Sequence, residues 1–90
     1  MTNSADSSHR SSLSEEFHFL CMLHNIGATT PDKSLSLNDI SEWTEMDAPV
    51  VRVHLQRLTD LGYIQLIKVE ETEKYHLTQS GIRKVLTLYS

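Results

Sequence analysis

The sequence has 90 residues, 39% of them hydrophobic and 22% charged, with three Gly and two Pro. This length and composition fit one globular domain and exclude a second. The single Cys excludes an internal disulfide, and no apolar run approaches the ~20 residues of a membrane helix. No secretory signal is evident either. We therefore expect a cytoplasmic protein without a membrane partner. The net charge of −4 argues against binding a polyanion through bulk charge alone.

Charge is distributed unevenly along the chain. Residues 1–46 contain two basic and seven acidic side chains, whereas residues 47–90 contain six basic and five acidic ones. Any basic surface for an anionic ligand is therefore expected in the second half of the sequence.

The N-terminal part is predicted to be a tail followed by a helix. Residues 1–11 are rich in Ser and Asp and have too little apolar area to offset the entropy of ordering, which predicts a disordered tail before a folded domain at residues 12–90. Ser12 and Glu15 have capping-box spacing, and apolar residues recur at helical intervals up to Gly27. This helix is apolar over more of its surface than one small core can cover, so we expect a homodimer interface formed with the last helix. The candidate interface residues are Phe19, Met22, Leu23, Ile26, Leu88 and Tyr89.

A second helix follows a loop at residues 28–34. Ser36 and Asp39 have capping-box spacing, and apolar residues recur at helical intervals as far as about residue 45. Trp43 lies at the edge of the apolar face, where it either covers the core or contributes to a protein interface.

The third helix is the clearest in the sequence and is predicted over about residues 48–61. Asp47 is its N-cap candidate, Pro49 fits the first turn, and apolar residues repeat every three or four positions until Gly62. Val51, Leu55 and Leu58 should therefore face the core, with a polar face opposite.

The hydrophobic period changes from 3.6 to 2 after this helix, which predicts strands at residues 63–69 and 74–78. The linker at residues 70–73 contains neither Gly nor Asn, which predicts a hairpin with a longer, charged tip in place of a two-residue turn. A last helix begins at Thr78, and its predicted inward face consists of Ile82, Val85, Leu86 and Tyr89.

This element order is that of a winged helix-turn-helix: a mostly helical α+β fold with a three-helix core, a β-hairpin wing and a C-terminal helix. Three segments strengthen this interpretation, namely LNDIS at residues 37–41, VRVHLQRLTDLGYI at 51–64 and YHLTQSG at 75–81. They resemble motifs of the MarR-like and ArsR-like families of small prokaryotic transcriptional regulators, and the resemblance covers residues 13–89. It implies a regulator that binds double-stranded DNA, with the third helix in the major groove.

The polar face of the third helix contains the base-reading candidates. Arg can bond guanine and Gln can bond adenine at two positions, which suits Arg52 and Gln56, and Val53 between them suits a thymine methyl. The same residue types also occur on an ordinary solvated helix face. Arg57 lies on the flank, where it either meets phosphate or pairs with Asp60. The predicted DNA-binding residues are Pro49, Arg52, Val53, Gln56, Arg57, Lys68 and Lys74.

Acidic residues oppose this function. The predicted wing tip contains Glu70, Glu71 and Glu73, which would repel phosphate, and Glu45 stands where the resembled families commonly have Gly between the second and third helices. The alternative function is a winged-helix adaptor that binds a protein partner and not DNA, which suits the net negative charge.

Metal binding and catalysis are not indicated. His18, Cys21 and His24 are three residues apart, but successive steps of three drift around a helix, so we interpret them as packing residues and predict no metal and no cofactor. The sequence has no phosphate-binding glycine loop, no nucleophile elbow and no paired carboxylates in an apolar setting, so we do not expect an enzyme.

Overall fold

A computed structural model describes residues 15–89. Residues 15–25 form helix α1, and a 3-10 turn follows at Pro31–Lys33. The remaining elements, in chain order, are β1 (Leu35–Ser36), α2 (Leu37–Thr44), α3 (Ala48–Asp60), β2 (Ile64–Val69), β3 (Thr72–Leu77) and α4 (Gln79–Tyr89). The predicted order of helices and hairpin is thus confirmed. The predicted tail at residues 1–11 and the cap at Ser12 lie outside the described residues.

The two predicted glycine stops end α1 and α3 through the same motif. Gly27 has φ 91°, and it lets the amide of Ala28 donate to the carbonyl of Leu23 while its own amide donates to the carbonyl of His24, both at 3.1 Å. The same pair of bonds occurs around Gly62, which has φ 84°. Both glycines therefore satisfy terminal helix carbonyls in a conformation that disfavours a side chain.

The turn between α2 and α3 keeps a glycine-like geometry without a glycine. The predicted capping box is present, with Ser36 Oγ accepting from the Asp39 amide at 3.1 Å. At the other end of α2, Glu45 has φ 58° and ψ 32°, the left-handed conformation in which a residue with a Cβ is strained. Asp47 occupies the N-cap position of α3, although its side chain makes no capping hydrogen bond, and Pro49 lies in the first turn as predicted.

The hairpin differs from its prediction. β2 and β3 pair as far as Val69 opposite Thr72, so only Glu70 and Glu71 form the turn. Both have positive φ, 51° and 71°, which is the signature of a type I′ turn that normally contains Asn or Gly. The expectation of a longer tip was wrong because strand pairing, with the register fixed by the buried pair Ile64 and Leu77, imposes a turn that these residue types do not favour locally.

A short strand that the sequence analysis missed completes the sheet. β1 pairs antiparallel with β3, with Leu35 opposite Tyr75, and the strand order is β1-β3-β2. β1 has two residues and leads directly into the capping box of α2, so it carries no alternating pattern of its own.

The core lies where the helices meet one another and the base of the sheet. Its buried residues include the three predicted for α3. The set is Phe19, Leu20, Leu23, Ile40, Val51, Leu55, Leu58, Ile64, Leu77 and Val85. Among described helices, none is long and apolar enough to cross a membrane.

Two predictions about apolar surface are corrected by this core. Phe19 and Leu23 have no exposed area within a single protomer, so they are core residues and not part of an exposed interface. They are buried because one core contacts a wider stripe of α1 than the sequence suggested. Leu86 was expected to face inward but is 54% exposed, whereas Val85 is fully buried.

Candidate nucleic-acid interface

Two hydrogen bonds of Thr78 and one close backbone contact of Gly81 hold the base of the wing against the end of α3. Thr78 Oγ1 donates to the carbonyl of Gly62 at 2.7 Å and accepts from the amide of Gly81 at 3.0 Å. A Cβ built on Gly81 would overlap the backbone carbonyl oxygen of Tyr63. The YHLTQSG segment therefore contains a Thr and a Gly that fix the wing and α4 to the chain leaving α3.

The exposed face of α3 holds four of the predicted DNA-binding residues together. Arg52, Val53, Gln56 and Arg57 are all exposed and line one shallow depression of about 300 Å³. Pro49 is exposed at the start of the same helix. The helical period was thus sufficient to separate this face from the buried one.

A second depression separates α3 from the wing, and we call it the helix–wing groove. Its volume is about 320 Å³, and it is lined by Arg52, Leu55, Gln56, Thr59, Leu66, Glu73 and Tyr75. Burial raises the pKa of the Tyr75 phenol and the Glu73 carboxylate raises it further, while the Arg52 guanidinium acts in the opposite direction. Tyr75 therefore keeps its proton at neutral pH and offers a hydroxyl donor to the groove.

The two base-reading candidates differ in their existing partners. Gln56 Nε2 donates to Asp60 Oδ1 at 3.1 Å, a contact between residues one helical turn apart. The Arg52 guanidinium makes no hydrogen bond or ion pair with any residue in the part of the chain that the structure describes. Arg52 is thus the more readily available of the two for an incoming base or phosphate.

Arg57 has a partner that the sequence analysis missed. The alternative of an Arg57–Asp60 pair is wrong, because among the described residues Arg57 pairs with Glu16 on α1, with Nη1 3.4 Å from Oε2, and Asp60 accepts a hydrogen bond from Gln56. Glu16 is only 13% exposed and also lies 3.1 Å from His54 Nδ1. One signal was available in the sequence: Glu16 lies three, four and seven residues before the buried side chains of α1, on the same helical stripe.

The two lysines assigned to the wing base lie on different faces of the sheet. Lys68 is directly opposite Glu73, on the face that carries Tyr75 towards the helix–wing groove. Lys74 is opposite Ile67, and because side chains alternate along a strand it projects from the other face. The structure therefore brings Lys68 to the α3 side of the wing but not Lys74.

Acidic and aromatic surface flanks this region. The turn residues Glu70 and Glu71 are exposed at the tip of the wing. On α2 and the turn after it, Trp43 is 65% exposed and lines a surface depression with Glu42 and Glu45. Of the two interpretations left open for Trp43, covering of the core is excluded by this exposure.

The three residues considered as metal ligands do not assemble into a site. His18 is exposed, while Cys21 and His24 are half-buried. Within residues 15–89 no group of three His, Cys, Asp or Glu side chains is placed to hold a metal ion.

The solved structures that match this chain are winged-helix proteins. The DNA-binding fragment of TubR from Clostridium botulinum matches with a TM-score of 0.70 and 23% identity, over 81% of this chain and 91% of the fragment. Staphylococcus aureus MepR in complex with DNA matches with a TM-score of 0.69 and 27% identity, over 83% of this chain and 54% of MepR. MepR is a transcription regulator of the multidrug efflux pump MepA. The chain has the fold of winged-helix transcription regulators.

This result confirms the resemblance to MarR-like regulators that the sequence motifs suggested. The chain spans about half the length of MepR and nearly all of the TubR fragment. No family model and no curated protein sequence matches the chain. The neighbours are DNA-binding transcription regulators and not enzymes.

Proposed function

We propose that this protein is a DNA-binding transcriptional regulator that inserts α3 into the major groove of double-stranded DNA. The observation that supports this most directly is the exposed face of α3, where Arg52, Val53 and Gln56 lie together on a helix with the buried residues of a winged-helix core on its other side. The same fold occurs in MepR, whose structure includes DNA. In a helix-turn-helix, the second helix of the motif presents its exposed side chains to base edges.

Each candidate has a definite chemical role in this proposal. Arg52 would donate two hydrogen bonds to a guanine, and among the described residues its guanidinium makes no hydrogen bond or ion pair that would have to be broken first. Gln56 would contact adenine after releasing Asp60, and Val53 would contact a thymine methyl. Lys68 would contact phosphate from the wing, in competition with the facing Glu73.

A homodimer is part of the same proposal. One protomer offers few cations to phosphate, and two protomers double both the phosphate contacts and the number of bases read. A two-fold symmetric operator with half-sites about 34 Å apart is then expected. The corrected interface consists of the partly buried Met22 and Ile26, the exposed Leu88 and the neighbouring Tyr89, since Phe19 and Leu23 belong to the core.

The test is selection of a binding sequence from random duplex DNA, followed by fluorescence anisotropy at two salt concentrations. Arg52→Ala should weaken binding to the selected sequence by about 5- to 150-fold, the equivalent of 1–3 kcal/mol for a lost bidentate base contact. The matched control is Arg83→Ala, which removes the same charge from an exposed position on α4 and should have a much smaller effect. If no sequence is enriched, or if the Arg52→Ala variant binds as tightly as the wild type, the proposal is wrong.

A protein partner is the second candidate, and the exposure of Trp43 favours it. Exposed Trp is typical of protein-binding surfaces, and the neighbouring Glu42 and Glu45 suit a basic partner. The adaptor function would replace the regulator function if the wild-type protein failed to bind duplex DNA even at low ionic strength.

A further inference from the structure

We propose that Glu16 restrains DNA binding by occupying Arg57 in the free protein, as a carboxylate in the place of a DNA phosphate. This inference rests on the proposed DNA-binding function. Its basis is the contact between α1 and α3 in which Glu16 approaches Arg57 Nη1 with both carboxylate oxygens, at 3.4 and 3.5 Å.

The carboxylate is fixed in position by its surroundings. Glu16 lies on the inward stripe of α1, and its Oε2 is also 3.1 Å from His54 Nδ1. His54 is itself largely buried, with its ring centroid 5.0 Å from that of the core residue Phe19. Glu16 and His54 are both largely buried, so Arg57 is the exposed member of this group of three side chains.

The guanidinium of Arg57, by contrast, remains open to solvent. The Arg57 side chain is 60% exposed, and the contacts with Glu16 involve only Nη1. These distances exceed the 2.7–2.9 Å typical of a strong charge-assisted hydrogen bond. An exposed ion pair of this kind contributes little to stability, so an incoming anion can displace it.

Phosphate is the anion that the location favours. Arg57 flanks the predicted reading face and lines the same depression as Arg52, Val53 and Gln56. Guanidinium binds carboxylate and phosphate oxygens with the same geometry, so Glu16 and a phosphodiester compete for one group. While Glu16 is paired with Arg57, the two charges cancel. This flank of α3 therefore contributes little to phosphate binding.

The experiment compares Glu16→Gln with Glu15→Gln. Both substitutions remove one negative charge from adjacent residues, but Glu15 is exposed and is not one of the residues in contact with Arg57. A Gln at position 16 keeps an acceptor oxygen for His54, so α1 should stay in place, and thermal melting checks this. We expect Glu16→Gln to tighten duplex binding by about two- to fivefold, the range of one exposed ion pair. The slope of log affinity against log salt should steepen by up to about 0.9, the value of one added phosphate contact.

Arg57→Ala provides the second arm of the experiment and leaves every residue of α1 unchanged. In the wild-type background it should change DNA affinity by less than about twofold, since Glu16 already neutralises Arg57. In the Glu16→Gln background it should remove the whole gain. Two outcomes would overturn this inference alone, provided that the wild-type protein binds DNA. One is equal DNA affinity of the Glu16→Gln and Glu15→Gln variants. The other is a large loss of DNA affinity in the single Arg57→Ala variant. Absence of DNA binding by the wild type overturns the proposed function together with this inference.

Discussion

The exposed face of α3 and the wing lie on either side of the helix–wing groove, and they differ in both charge and local geometry. On α3 the exposed side chains include Arg52 and Arg57, and Gly62, just beyond the end of the helix, has a positive φ that suits a glycine. On the wing the tip consists of Glu70 and Glu71, both in left-handed conformations that suit Gly or Asn, and Glu73 lies directly opposite Lys68. Local sequence and structure thus agree in α3 and conflict in the wing. Such conflicts tend to mark functional or strained sites.

The largest expected effect comes from breaking the joint between the two regions. Gly81→Ala should lower the free energy of unfolding by about 3 kcal/mol, because the new methyl group overlaps the Tyr63 carbonyl at the base of the wing. Urea denaturation measures the change. Ser80→Ala is the control, since Ser80 is exposed and its replacement should shift stability by no more than about 0.5 kcal/mol. Equal stability of the two variants would show that the wing is not fixed at Gly81.

A smaller gain should follow from removing the conflict at the wing tip. The double substitution Glu70→Asn and Glu71→Gly should stabilise the protein by about 1 kcal/mol, because these residues adopt the positive φ of a type I′ turn with less strain. Replacing both residues with Gln removes the charge without relieving the strain, so this control should gain less than half as much. A lower melting temperature for the Asn-Gly variant than for the Gln-Gln variant would contradict a two-residue turn.

The smallest expected effect concerns charge alone. Replacing Glu70, Glu71 and Glu73 with Gln should raise affinity for duplex DNA by about two- to fivefold at low salt, because repulsion of phosphate is removed and Lys68 loses a facing carboxylate. Anisotropy titrations at two salt concentrations should show a gain that shrinks at high salt. Unchanged affinity in a protein that binds DNA would mean that the wing points away from the duplex.

The helices and the exposed face of α3 could be predicted because their signals are local. Capping at Ser36, the glycine stops at Gly27 and Gly62, and the two faces of α3 depend on residues within a few positions of one another. The same reasoning was less effective in the turn between α2 and α3, where the packing of the two helices sets the backbone conformation. Glu45 could be identified as a departure from Gly, but only the structure showed that it adopts the glycine-like conformation.

The sequence by itself determined the element order, the apolar side of α3 and the charge difference between the two halves of the chain, because each depends on periodicity or composition. Tertiary structure alone decided that one core buries Phe19 and Leu23, that strand pairing reduces the wing tip to two residues, and that Glu16 reaches Arg57 across 41 positions of sequence. The physical reason is that each of these depends on how one element packs against another. Which of several apolar stripes a helix buries, and which of several possible turns a hairpin adopts, depend on the element that packs against it.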